Sequence, residues 1–160
     1  MKNQKGFTLI ELLIVVAIIG IIAAIAIPNL LSAIQRGRQK RAMGEVRSIA
    51  TAAQSYATDS NIYPILGTYG ALSGTQAATD MTPDYIKTIP NPDPWNTPYY
   101  YQGVTSSFAA GSLGKDSTKE TDPDLGTANV GTSTNCFECD IIFVGDNFWQ
   151  KPEGKQRTCQ

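Results

Sequence analysis

The sequence has no histidine among its 160 residues. With it go the commonest general base and the commonest metal ligand, which argues against a hydrolase or a zinc enzyme from the outset. Charge is thin as well. Thirteen basic and 14 acidic side chains give a formal net of −1, and setting Lys2 and Lys5 aside leaves 11 against 14, or −3. No nucleic-acid signature is evident at that balance. No nucleophile–base set, phosphate-cradling loop or internal repeat occurs, and cysteine is limited to three residues, Cys136, Cys139 and Cys159.

Against these absences stands one long apolar run. From Phe7 to Ile27 there are 21 residues with a single charge, Glu11. As a helix rising about 1.5 Å per residue the run would extend roughly 30 Å, the thickness of a bilayer's hydrocarbon core. It is longer than the h-region of a secretory signal, and no A-x-A-like site follows it. The segment is therefore expected to stay in the product, with any cut falling before it, in the short basic leader Met1–Gly6. Glu11 is costly in such a place, at about 2.5–3.5 kcal/mol for a carboxylate at the centre of a membrane helix. The plainest reading is that it lies about 6 Å deep and reaches back to the interface. The basic residues conflict over orientation. Lys2 and Lys5 precede the run, but Arg36, Arg38, Lys40 and Arg41 follow it, so counting alone would keep the C-terminus inside.

Pro28 removes one backbone donor and should kink or loosen the helix, while Leu30, Leu31 and Ile34 continue the apolar pattern. Met43, Val46, Ile49, Ala53 and Tyr56 then recur at helical spacing, opposite Arg41, Glu45, Arg47 and Ser48. Asp59-Ser60-Asn61 and Pro64 supply a stop, so one helix is expected from Phe7 to about Ala57. Beyond it, Ala71–Asp80 reads as a short helix or loop. Tyr99–Val104 and Ser107–Leu113 read as a hairpin around Gln102-Gly103 or Thr105-Ser106. Ile141–Val144 and Phe148–Gln150 flank the turn Gly145-Asp146-Asn147. The expected class is α+β, a long N-terminal helix packed on a small antiparallel sheet. The expected organisation is a leader (1–6), a membrane or filament-core helix (7–27), its amphipathic continuation (28–60) and a β-rich globular domain (61–160).

Lys5-Gly6-Phe7-Thr8-Leu9-Ile10-Glu11 closely resembles the class III leader of type IV pilins and of the pseudopilins of type II secretion. The resemblance implies the pilin fold, cleavage between Gly6 and Phe7 by a prepilin peptidase, and N-methylation of Phe7. It implies that Glu11 pairs with the Phe7 amine of a neighbouring subunit during assembly, and that the leader faces the cytoplasm. Asn91-Pro92-Asp93-Pro94-Trp95-Asn96-Thr97-Pro98-Tyr99 resembles the D-P-W-G-x-P-Y segment of major pseudopilins, with Asn96 in place of the glycine. Asparagine is the non-glycine residue best suited to a left-handed turn. Trp95 is expected as an anchor, and the tyrosines as ordinary core.

Ser112–Asp124 resembles the calcium loop of the same pseudopilins. That implies side-chain ligands from Asp116, Asp122 and Asp124 and a carbonyl from Leu113. A solvated acidic loop is the alternative reading of the same residues, with Lys115 and Lys119 against a cation. For the cysteines, a redox C-x-x-C lacks a thioredoxin-like setting and zinc lacks a fourth ligand. A staple joining Cys159 to Cys136 or Cys139, as in many type IV pilins, is expected instead, and it would need an oxidising compartment.

The function so implied is structural, not enzymatic: a subunit of a pilus-like filament, foremost a pseudopilin of type II secretion. The alternative is a type IV pilin of a surface fibre used for adhesion, twitching or DNA uptake. The implied partners are other copies of the chain, the prepilin peptidase, an inner-membrane assembly platform with its ATPase, and the membrane. The implied location is the bacterial inner membrane in a single pass, with the C-terminal domain outside the cytoplasm, then a filament in the periplasm or at the surface.

Overall fold

A computed structural model describes residues 6–120, 122–123, 125 and 132–157. Its first element is a single helix, α1 (Leu9–Ser60), which passes through Pro28. Asn61 ends it in the left-handed region at φ 59°, its N–H returning to the Ala57 carbonyl at 2.9 Å. The expected stop residues therefore act as a C-cap. The chain's contacts divide it into two units between Gln35 and Arg36, so the two ends of α1 belong to different units.

In the first unit the large apolar residues from Phe7 to Ile34 are 45–77% exposed. In the second, Val46, Ile49, Ala50 and Ala53 are 0–1% exposed and join one core cluster with Tyr99, Tyr101, Phe108, Ala110 and Phe143. The helical stripe predicted from spacing is thus a core face, and Arg41, Arg47 and Ser48 lie exposed on the other side.

After α1 come β1 (Leu66–Ala71), α2 (Gln76–Met81), β2 (Tyr100–Val104), β3 (Ser107–Ser112), β4 (Thr132–Cys136), β5 (Ile141–Val144) and β6 (Asn147–Arg157). Among the described residues the six strands form one sheet in the order β1-β2-β3-β5-β6-β4. The β2–β3 hairpin turns at Thr105-Ser106, and β5–β6 turns at Gly145-Asp146, where Gly145 takes φ 56°. Both hairpins match the sequence expectation. The sheet departs from it at its edges: β1 adds an unexpected strand beside β2, and β4 pairs parallel to the far half of β6, a strand much longer than Phe148–Gln150. Alternation along β2, β3 and β5 sends Tyr101, Ala110 and Phe143 to the helix-covered core. Tyr69, Ala109 and Ile142 form a smaller cluster with half-buried Tyr100 and Trp149.

Candidate functional site

The charged start of α1 is built by three residues. Thr8 precedes the first helical turn and its backbone N–H donates to Glu11 Oε2 at 2.9 Å. The Thr8 hydroxyl donates to the same oxygen at 2.5 Å, and the Glu11 N–H returns to Thr8 Oγ1 at 3.4 Å. This reciprocal arrangement is a capping box, which satisfies two donors that a helix start leaves orphaned. The T-x-x-E spacing at Thr8–Glu11 is the sequence signal for it. Within its own chain Glu11 is held as a cap, with its carboxylate aimed at the first turn and the N-terminal segment. The leader residues Met1–Lys5 lie outside the described residues; Gly6 and Phe7 are exposed.

The Asn91–Pro98 loop is organised by Asp93, which sequence reasoning passed over in favour of Trp95. Asp93 is 3% exposed. Its Oδ1 accepts from the backbone N–H groups of Trp95 at 3.0 Å and Thr97 at 2.8 Å, and its Oδ2 accepts from the Ser112 hydroxyl at 2.6 Å. One buried carboxylate thereby ties the proline-rich loop to the end of β3, its lone pairs spent on three donors. Asn96 sits at φ 70°, so the left-handed turn does survive the loss of glycine. Trp95 is only half-buried, whereas Tyr99 is buried, its hydroxyl donating to Glu45 Oε2. Glu45 also takes Arg41 Nε at 2.8 Å. Burial first, then the Glu45 hydrogen bond, pushes the Tyr99 phenol well above its ordinary range. Burial likewise raises Tyr101, whose hydroxyl donates to the Pro64 carbonyl at 3.1 Å.

The residues assigned to a calcium loop are dispersed among local partners. Asp116 Oδ1 accepts from the Thr118 N–H at 3.0 Å, and Asp122 pairs with Lys119 at 2.7 Å. Lys115 pairs with Glu138 at 2.9 Å, and its N–H donates to the Phe137 carbonyl at 3.1 Å. Leu113 is buried and Asp124 lies outside the described residues. Among the described residues no three acidic or cysteine side chains come together as metal ligands. Gly114 makes the turn into this loop at φ 72°. A Cβ there would stand 2.6 Å from the carbonyl oxygens of Glu138 and Cys139, so the position admits only glycine.

Cys136 and Cys139 are bonded to each other, with Cα atoms 5.6 Å apart, inside the reach of a disulfide. This corrects the expected staple to Cys159, which lies outside the described residues. The reason is local. The bend over Phe137–Cys139 returns the chain on itself and brings the two thiols together. What holds β6 in place is the parallel β4–β6 pairing and a buried glutamine pair. Gln39 Nε2 donates to the Cys136 carbonyl at 3.1 Å and to Gln156 Oε1 at 3.3 Å, and Gln156 Nε2 donates to the Thr134 carbonyl at 2.9 Å.

With this geometry in hand, two family models match the chain. One, described as the prokaryotic N-terminal methylation motif, matches residues 1–27. The other, described as type II secretion system (T2SS), protein G, matches residues 29–129. The chain belongs to the type II secretion system protein G family. Relatives in that family include the type II secretion system core protein G of Vibrio cholerae, 31% identical, covering 81% of this chain and 95% of the relative. The core protein G of Pseudomonas aeruginosa is 33% identical, covering 78% and 95%. A fimbrial protein of Pseudomonas aeruginosa is 37% identical, covering 81% of this chain and 68% of its own length. The protein G match takes in the α1 core stripe and the Asp93 loop but ends before β4. The disulfide and the parallel edge thus belong to the part of the chain beyond it.

Proposed function

We propose that this protein is a structural subunit of the filament of a type II secretion system, anchored in the inner membrane before assembly. Membership of the protein G family supports this, and one physical observation carries it. The first unit exposes an apolar helical surface, from Leu9 to Ile34, that no described residue covers. Such a surface needs lipid first and like helices afterwards, and among the described residues α1 is the one helix long and apolar enough to cross a membrane.

In this reading the peptidase cuts between Gly6 and Phe7, and Phe7 becomes the methylated N-terminus. Glu11, preset by Thr8, receives the Phe7 amine of the next subunit, so that two charges are satisfied in a medium of low dielectric. The subunit's own chemistry is packing and charge pairing. The peptidase, assembly platform and ATPase are proposed partners on family grounds. Calcium stays a proposal for Asp116, Asp122, Asp124 and the Leu113 carbonyl, and binding there should raise the melting temperature by a few degrees over chelator. Identical melting curves would remove the site.

The fimbrial relative favours a second reading, a surface pilin. A deletion strain separates the two. Loss of secreted proteins with surface pili intact supports the secretion subunit, and loss of pili with secretion intact supports the pilin.

A further inference from the structure

The basic residues after the apolar run are hard to explain by the fold. Arg36, Arg38, Lys40 and Arg41 are all exposed, and the next acid in the sequence is Glu45. Glu45 is taken by Arg41, whereas Arg36, Arg38 and Lys40 enter no ion pair among the described residues. At about 100° per residue these four fan over the solvent side of the helix, while Gln39 and Ala42 turn inward and are buried. Arg36 and Lys40, one turn apart, also line a groove of about 290 Å³ floored by Met43, Pro152 and Gln156. In sequence this collar begins two residues past Ile34, the last large residue of the exposed apolar run.

Charge on the translocated side of a membrane segment opposes normal insertion preferences, so its presence there calls for a counter-charge at that level. We propose that Arg36, Arg38 and Lys40 bind the headgroups of anionic phospholipids in the outer leaflet of the inner membrane. A phosphate sits between Arg36 and Lys40, with its glycerol and upper acyl carbons against Met43 and Pro152. The inference rests on the membrane-anchored reading above. The continuity of collar and apolar run favours lipid over an acidic protein partner, since the run already commits this stretch of chain to the bilayer surface. The collar holds the waiting subunit at a fixed depth, and each headgroup must be given up when the subunit leaves for the filament.

The test uses the full chain with Lys2→Gln and Lys5→Gln, so that the leader contributes no side-chain charge. It is reconstituted in phosphatidylcholine vesicles with trace chain-spin-labelled lipid. The immobilised spectral component should favour phosphatidylglycerol over phosphatidylcholine by about fivefold at low salt and fall towards parity near 0.5 M salt. Arg36→Gln/Arg38→Gln/Lys40→Gln should abolish the preference. The charge-preserving Arg36→Lys/Arg38→Lys/Lys40→Arg should keep it, and so should Arg41→Gln, whose cation is already paired. Equal immobilisation of both lipids by the starting protein, or a preference that survives the triple glutamine variant, would overturn the proposal. So would a triple variant that keeps the preference but loses cross-linking between copies, which would make the collar a subunit contact. No immobilised lipid of either kind would bring down the membrane reading as well; immobilised lipid without headgroup preference would bring down this inference alone.

Discussion

The two ends of α1 are made from the same backbone and meet opposite fates. Ile25 is 66% exposed, and Ile49, on the same helix, is fully buried. Near Ile49 the apolar positions form a stripe, and the sheet supplies the matching face from Tyr99, Tyr101, Phe108 and Phe143. Near Ile25 they run all round the helix, and none of the described residues covers them. A stripe can be satisfied from within one chain, but a cylinder cannot. One end of α1 is therefore a folding element and the other an assembly element.

The sharpest way to break that division is at its one charged residue. Glu11→Ala should leave the protein inserted and processed but abolish filaments, as seen by electron microscopy of cells overproducing the chain; normal filaments would refute the assembly role of Glu11. Next is the paired truncation. Ile49→Ala should cost about 2–5 kcal/mol in denaturant unfolding of the detergent-held chain, while Ile25→Ala should change it by less than about 0.5. Similar losses at both would mean the apolar end has intramolecular partners.

A smaller loss, about 2–3 kcal/mol, is expected for Asp93→Ala, which orphans the N–H groups of Trp95 and Thr97 and the Ser112 hydroxyl. It should loosen the second unit and spare membrane insertion, a contrast readable by limited proteolysis against flotation. Smallest near neutrality is the pH effect. The Tyr99 and Tyr101 phenols are raised above the ordinary value of 10, so folding holds their protons while unfolding releases them. Their contribution is complete below pH 10 and is lost as pH rises beyond it, by up to about 1.4 kcal/mol per unit for each. The apolar run has no tyrosine, so alkaline titration should weaken the second unit selectively. A stability that stays flat to pH 11 would deny that these hydroxyls are buried.

Much of this architecture was legible from pattern. The 43–56 stripe, the two hairpins and the left-handed Asn96 each rest on a local rule, so short-range sequence sufficed. The elements that escaped are the sheet's two edges. Leu66–Ala71 and Thr132–Cys136 carry few large apolar residues and no clean alternation, because an edge strand has only part of its surface to bury. The parallel β4–β6 pairing joins residues with no turn between them, which no short motif announces. Asp93 escaped for a related reason: two of its three donors lie within four residues, but the third, Ser112, arrives from a distant strand.

Sequence alone determined that this chain has an apolar helix with an acid near its start and that it resembles subunits built to assemble, since periodicity, length and a leader motif are properties of the linear chain. Tertiary structure decided the partners. It gave Asp93 to Ser112 and Glu45 to Tyr99, and among the described residues it left Arg36, Arg38 and Lys40 without an ion pair. Those outcomes turn on which groups the fold brings within about 3 Å of one another, a distance that spacing along the chain does not encode.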